Sequence, residues 1–326
     1  MSQHFLLSAK ARTLSLSAVL RMTDGEAEDA FRSVRWTDGK AICPHCECPT
    51  VYECRRPSGA LRFRCKACRK DFSITSGTLF AFHKMPLRNY LAAIAIFCNE
   101  VKGKSALALS RDLDVQYKTA FVLAHKLREA MASELKGMRI GGRDKTVEVD
   151  GGYFGGYVKP SNRLENRRDR RLTKNQNGKR QVVVVMRERD GRTLPAVFRS
   201  ESSALGFIAS RALPGTSIMA DEAASWNDLH GRFDVSRIDH SKLYSTGTGV
   251  YTNGAEEFFS RMRRAEIGHH HHIAGTYLIR YAQESAWRED HRRMDNGRQV
   301  RAVSTLAMAA PISVDWCGYW QRSRAA

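Results

Sequence analysis

The spacing of apolar residues changes character more than once along this chain. Up to about residue 40 it describes two helical segments, the second around 26–34. Residues 51–54 and 61–64 then alternate as two strands of a hairpin about Pro57, Ser58 and Gly59. From Pro86 to about Met138 the helical spacing returns. One helix covers 87–97 and a second begins over 104–113; after a break at Asp114 and Val115 a third runs through 116–128. From Lys145 strands and helices alternate. Strands are predicted over 147–150, 181–188, 194–199, 216–220 and 235–238, with the turn Asp190-Gly191 joining the second and third. Helices are predicted over 202–213 and 223–231, and another begins at Asn253.

Charge narrows the class of partner. The 326 residues carry 53 Lys and Arg against 34 Asp and Glu, a formal charge of +19. An excess of this size points to a polyanion, because each phosphate contact releases counterions; the competing reading is a basic protein with no such ligand. The longest apolar run, 91–98, is far too short to span a bilayer, and Lys10 and Arg12 interrupt the N-terminal one. An intracellular protein with no membrane partner is expected. Thiols stay reduced there, so the eight cysteines point to metal before disulfides. Cys43 and Cys46 form one Cys-x-x-Cys pair, Cys65 and Cys68 another, with 18 residues between the pairs. Two such knuckles close a tetrahedral Zn2+ shell and define a zinc ribbon. Cys48 and Cys54 are rival ligands within reach. A closed thiolate shell has no open position, so this zinc is expected to be structural.

Chemistry must lie elsewhere, and three acids stand where it could. Asp150 and Asp221 each close a strand, and Glu256 lies in the first turn of the helix from Asn253, with 34 residues between it and Asp221. Hard divalent ions need only a few carboxylates, because water and phosphate oxygens complete the shell. Two such ions could clamp the attacking and leaving oxygens of a displacement at phosphorus. Each acid also has an ordinary explanation, since Glu in a first helical turn is favoured by the helix dipole alone. Asn253 and Glu256 share one helix face. Glu148, Glu222 and Glu257 are expected to face away, and Glu284 with Arg288 is expected to be a surface ion pair.

Two segments are candidates for nucleic acid. The helices over 104–113 and 116–128 resemble a helix-turn-helix with Gln116, Lys118 and Thr119 at the exposed start of a recognition helix, though a plain helical hairpin shares the pattern. The loop from Val158 to Arg180 carries Arg163, Arg167, Arg168, Arg170, Arg171 and Lys174. A charge run is commonly a solvated loop; its place directly after the first acidic strand favours DNA contact.

The pattern divides into an N-terminal helical segment (1–40), a zinc ribbon (41–75), a helix-turn-helix-like region (76–142), an α/β domain (143–293) and a C-terminal tail (294–326). The fold class expected is α+β and multidomain. In the fourth segment, three antiparallel strands, a helix, then strand-helix-strand-helix is the ribonuclease-H-like order, in which strand ends converge.

With their flanks, Val147-Glu148-Val149-Asp150-Gly151-Gly152-Tyr153-Phe154, Asp221-Glu222, the stretch from Asn253 to Arg264 and the paired cysteines make the chain similar to the ISXO-type group of DDE-type insertion-sequence transposases. The resemblance runs through nearly the whole chain. It implies that Asp150 and Asp221 are the first two catalytic acids, leaves the third position open between Asn253 and Glu256, makes Arg263 the basic residue that holds a phosphate, and places His240 at the DNA or the active site. It further implies Mg2+ or Mn2+ as catalytic metal, double-stranded DNA (transposon ends and target) as partner, a homo-oligomer on that DNA, and a place in the cytoplasm at the nucleoid. Binding of terminal inverted repeats, end cleavage and strand transfer is the activity it implies. The competing functions are a DNA-binding regulator that has lost chemistry and a nuclease that cuts without joining.

Overall fold

The structure, a computed structural model, describes residues 4–57, 59–82, 84–155, 161–168, 173–175, 178–238 and 249–322. It separates into two compact units, one of residues 1–134 and 291–326, the other of 135–290.

The first unit starts with α1 (Leu16–Arg21) and α2 (Asp24–Arg35), and Thr23 with Glu26 forms a capping box that fixes where α2 begins. Strands β1 (Val51–Arg55), β2 (Leu61–Cys65) and β3 (Asp71–Phe72) make an antiparallel sheet in that order. The third strand is an addition to the predicted hairpin, and it is too short to show a period. Phe72 pairs with Phe63 and stacks on it at 5.2 Å, while Trp36 meets Phe63 edge-on at 5.4 Å. Buried Glu28 of α2 holds Arg55 at 2.9 Å. Helix α3 (Leu87–Asn99) is apolar nearly all round and buries every residue from Tyr90 to Cys98. Ser105 caps α4 (Ala106–Asp112), Asp114 turns the chain in the left-handed region at φ 50°, and α5 (Tyr117–Ser133) follows. None of the helices among the described residues is long and apolar enough to cross a membrane.

In the second unit, β4 (Ile140–Gly141) precedes β5 (Thr146–Phe154), β6 (Gln181–Glu188) and β7 (Thr193–Phe198). Then come α6 (Leu205–Arg211), β8 (Ala212–Leu213), β9 (Ser217–Asp221), a 3-10 segment (Ala224–Gly231), β10 (Asp234–Ile238), α7 (Asn253–Ala265) and α8 (Leu278–Asp290). The five-stranded sheet runs β10-β9-β5-β6-β7, with β5, β6 and β7 antiparallel and β5, β9 and β10 parallel. Its central strands are buried on both faces: Val182 to Met186 are wholly buried, as are Val147 and Val149.

Three local expectations change. The first strand runs four residues beyond Asp150, because Gly151 and Gly152 leave room on opposite faces. A Cβ on Gly151 would lie 2.7 Å from Glu201 Oε1, and one on Gly152 would lie 2.5 Å from the Phe259 ring. The helix expected over 202–213 is a 3-10 turn (Ser202–Ala204), α6 and then β8, whose two residues pair with β4. Glu284 and Arg288, expected at the surface, form a buried pair at 2.8 Å with side chains 4% and 11% exposed. Helix α8 packs on β7, which removes both from water.

Residues 291–326 return to the first unit. Asp295 caps α9 (Asn296–Ala309), which packs against α2, α3 and α5 through Val300, Val303, Ala307 and Met308; α10 (Tyr319–Arg322) follows.

Candidate active site and metal centre

The ribbon's four cysteines converge. The sulfur atoms of Cys43, Cys46, Cys65 and Cys68 all lie within 4.8 Å of one another, with Cys43 and Cys68 3.7 Å apart and Cys46 and Cys65 3.6 Å apart. Each pair is shaped alike. Glu47, at φ 60°, donates its amide to the Cys43 carbonyl, and Arg69, at φ 58°, donates to that of Cys65. The two rivals are engaged elsewhere, Cys48 with the Thr50 carbonyl and Cys54 with that of Arg62. Four soft donors in a closed set fit Zn2+, which would be held by Cys43, Cys46, Cys65 and Cys68.

Asp150 and Asp221 come together because β5 and β9 are parallel neighbours. Val149 pairs with Ala220, and the two aspartates are the next residues on each strand. The Asp221 carboxylate is fixed by buried Trp226, whose Nε1–H donates to Oδ1 at 2.7 Å, and by the Ala223 amide at 3.2 Å. Arg237 grips the backbone beneath it, donating to the carbonyls of Asp221 and Ala223, each at 2.6 Å. Asn253 is exposed at the start of α7, and half-buried Glu256 follows one turn later.

Burial, with the charge of Asp221, pushes the Asp150 carboxyl up to about 7; the Gly151 amide opposes this, and Glu201 and Glu256 add to it. So Glu256 belongs to the same acidic group. Glu201 is a member that the sequence did not announce. It follows β7 in a serine-rich turn, accepts from the Ser225 hydroxyl at 3.1 Å, and is itself raised by burial. Its one trace in the sequence is Gly151, whose missing side chain it fills.

A half-buried set of like charges favours whatever neutralises it, a proton or a dication, and carboxylate oxygens suit hard divalent ions. The sign for stability follows. With its folded pKa raised above 3.8, Asp150 takes up a proton on folding between about 4 and about 7, so its contribution is largest below 4 and is lost as pH rises through 7. Without added divalent cation, melting temperature should fall from pH 5 to pH 8 more in the natural protein than in Asp150→Asn. Equal falls would show that Asp150 does not carry this effect.

The candidate DNA-contacting residues stay exposed. Gln116, Lys118 and Thr119 stand at the N-terminal end of α5, and the Lys118 ammonium lies 5.3 Å from the Trp320 ring. Arg163, Arg167, Arg168 and Lys174 are exposed, Arg163 with a 3.7 Å ion pair to Glu165 and Arg167 donating to the Ser161 carbonyl. Arg263 is exposed in the last turn of α7, 5.7 Å from the Phe259 ring. Arg170, Arg171 and His240 lie outside the described residues.

The cysteine-knuckle ribbon and the mixed-sheet domain with clustered carboxylates each have counterparts among transposase domains. Residues 139–290 match the family model of the ISXO2-like transposase domain, and residues 22–71 that of the transposase zinc-ribbon domain. A relative described as an uncharacterized protein in transposable element ISH50, from Halobacterium salinarum, is 21% identical over 296 residues, covering 88% of this chain and 98% of the relative. The chain thus carries an ISXO2-like transposase domain and, ahead of it, a transposase zinc-ribbon domain.

Proposed function

We propose that the protein is the DNA transposase of an insertion sequence, binding terminal inverted repeats and catalysing metal-dependent end cleavage and strand transfer. The observation that carries this reading is the meeting of Asp150 and Asp221 at neighbouring parallel strands, beside Glu256, within the stretch matched by the transposase domain. The sheet order, three antiparallel strands continued by two parallel ones, supports a ribonuclease-H-like catalytic domain over 143–293, after a ribbon (41–75) and a DNA-binding helical region (76–142).

Mg2+ or Mn2+, when bound, would supply charge neutralisation for the attacking and leaving oxygens at phosphorus. Asp150 holds hard oxygen donors within β5 and Asp221 at the end of β9, and Trp226 keeps one Asp221 oxygen oriented. Glu256 offers the third carboxylate and Asn253 a neutral oxygen on the same helix face. Arg263 neutralises a phosphate, and exposed Arg163, Arg167, Arg168 and Lys174 track the DNA backbone. The protein works as a homo-oligomer on transposon ends and target DNA, in the cytoplasm at the nucleoid.

The test is end cleavage and strand transfer by the full-length protein on oligonucleotides from the DNA flanking its gene, with Mg2+ or Mn2+. Nicked ends joined to target are expected. Cut ends without joining would make it a nuclease, and binding with no cut a regulator. Replacing Arg163, Arg167, Arg168 and Lys174 together by Ala should weaken binding to every sequence and reduce the slope of log affinity against log salt by about 0.9 per lost contact. Lys118→Ala or Gln116→Ala should instead reduce preference for the element's own ends. An unchanged slope would make the loop a solvated surface.

A further inference from the structure

We propose that Glu148 is a positioning residue that fixes α7, and with it Asn253 and Glu256, against the strand that carries Asp150. The inference rests on the catalytic reading above. Glu148 was expected to face away from the site, but residues two apart on a strand share a face, so it lies on the same side of β5 as Asp150. It is only 1% exposed. Its Oε2 accepts the amide of Ala255 in the first turn of α7 at 3.0 Å, and its Oε1 accepts Arg189 Nε at 2.9 Å. Arg189 continues the link into the segment that leads to the helix. Its terminal nitrogens donate to the carbonyls of Gly249 at 3.1 Å and Tyr251 at 2.8 Å, and its guanidinium lies 3.6 Å from the centre of the Tyr251 ring.

A helix N-terminus leaves several amides in need of acceptors, and a fixed anion there also opposes the helix dipole. That need is ordinarily met by the residue just before the helix. Here the neighbouring Thr252 makes no side-chain cap, and a carboxylate from a strand more than a hundred residues earlier does the work. The approach requires a glycine. A Cβ on Gly254 would come within 2.8 Å of Glu148 Oε2. The cap is therefore a tie between elements, and the distance from Asp150 to Glu256 depends on it.

The full-length protein carrying Glu148→Gln or Gly254→Ala tests this. The first keeps an acceptor but loses the charge, and the second pushes the carboxylate aside. Four quantities are measured: Mn2+ binding by electron paramagnetic resonance, the Mn2+ concentration for half-maximal end cleavage, affinity for an end oligonucleotide, and melting temperature. Both variants should bind Mn2+ about tenfold more weakly, as loss of an outer-shell partner commonly causes, with cleavage recovering toward the natural rate at high Mn2+ and DNA affinity unmoved. Melting changes with unaltered Mn2+ dependence would leave Glu148 a purely structural residue and overturn the proposal. If Glu148→Gln does not fold, Gly254→Ala alone decides by the same criterion. Asp150→Ala, run alongside, separates the two ideas: cleavage by that variant refutes the catalytic reading, whereas its inactivity beside unshifted Glu148 and Gly254 variants refutes only the positioning role.

Discussion

Asp150→Ala and Asp221→Ala should each lower end cleavage and strand transfer together by orders of magnitude while leaving affinity for DNA nearly intact. Each substitution removes an anionic oxygen from the sheet without touching the ribbon or α5, so binding and chemistry should come apart. For Asp150 the effect on the fold should even be favourable, since burial, with the charge of Asp221, raises its carboxyl to about 7. Glu256→Gln and Asn253→Ala rank the third position. If Glu256 is the ligand, its variant should match the aspartate variants, and Asn253→Ala should be milder because a neutral amide does less to hold a dication. The reverse order would move the role to Asn253. Cleavage rates with Mg2+ and with Mn2+, beside gel-shift affinities, supply both comparisons, and a folded Asp150→Ala that still cuts and joins would end the two-metal reading.

Chelation, or Cys65→Ser, should unfold the ribbon. The cluster has little else to stand on, with three short strands and one aromatic layer of Trp36, Phe63 and Phe72. A structural Zn2+ contributes roughly 10–16 kcal/mol of apparent binding energy in small modules, comparable to or above the total stability of about 5–15 kcal/mol typical of a domain. One Zn2+ per chain is expected by metal analysis of the purified protein, and its loss should accompany Cys65→Ser. Retention of zinc in that variant would move the site to a set including Cys48 or Cys54.

The parts of the molecule that were legible are those whose physics is written in local spacing. Two Cys-x-x-Cys pairs can hardly serve another purpose than one tetrahedral shell, and the long valine run of β6 has to be a strand buried on both faces. Asp221 could be placed at a strand end because the apolar run stops there, whereas Asp150, read the same way, lies within a strand that Gly151 and Gly152 let continue to Phe154. What could not be read is what comes from far along the chain. Glu201 reaches the acidic group only through the packing of the turn after β7, and β8 is two residues that pair for want of a longer partner. Glu148 is different. It was expected to face away, although the two-residue period of a strand puts it on the face of Asp150, and its partner α7 lies too far along the chain to be read. The residues after 294, for which the pattern assigned no element, hold α9, although Asp295 followed by Val300, Val303, Ala307 and Met308 is a cap ahead of a helical apolar face.

That last helix bears on how the molecule is made. α2, α3 and α5 leave the ribosome first, yet the surface that α9 covers stays open until residue 309 has been synthesised. During that interval the 135–290 unit can fold, since all its strands and helices are contiguous in sequence, while the N-terminal helices wait with an apolar face in water. A polypeptide stopped before α9, even one with Asp150, Asp221, Glu256 and the four ribbon cysteines in place, would carry that open face permanently and be prone to aggregate. Synthesis of residues 296–309 thus gates the first unit, whose N-terminal helices become covered only when α9 arrives.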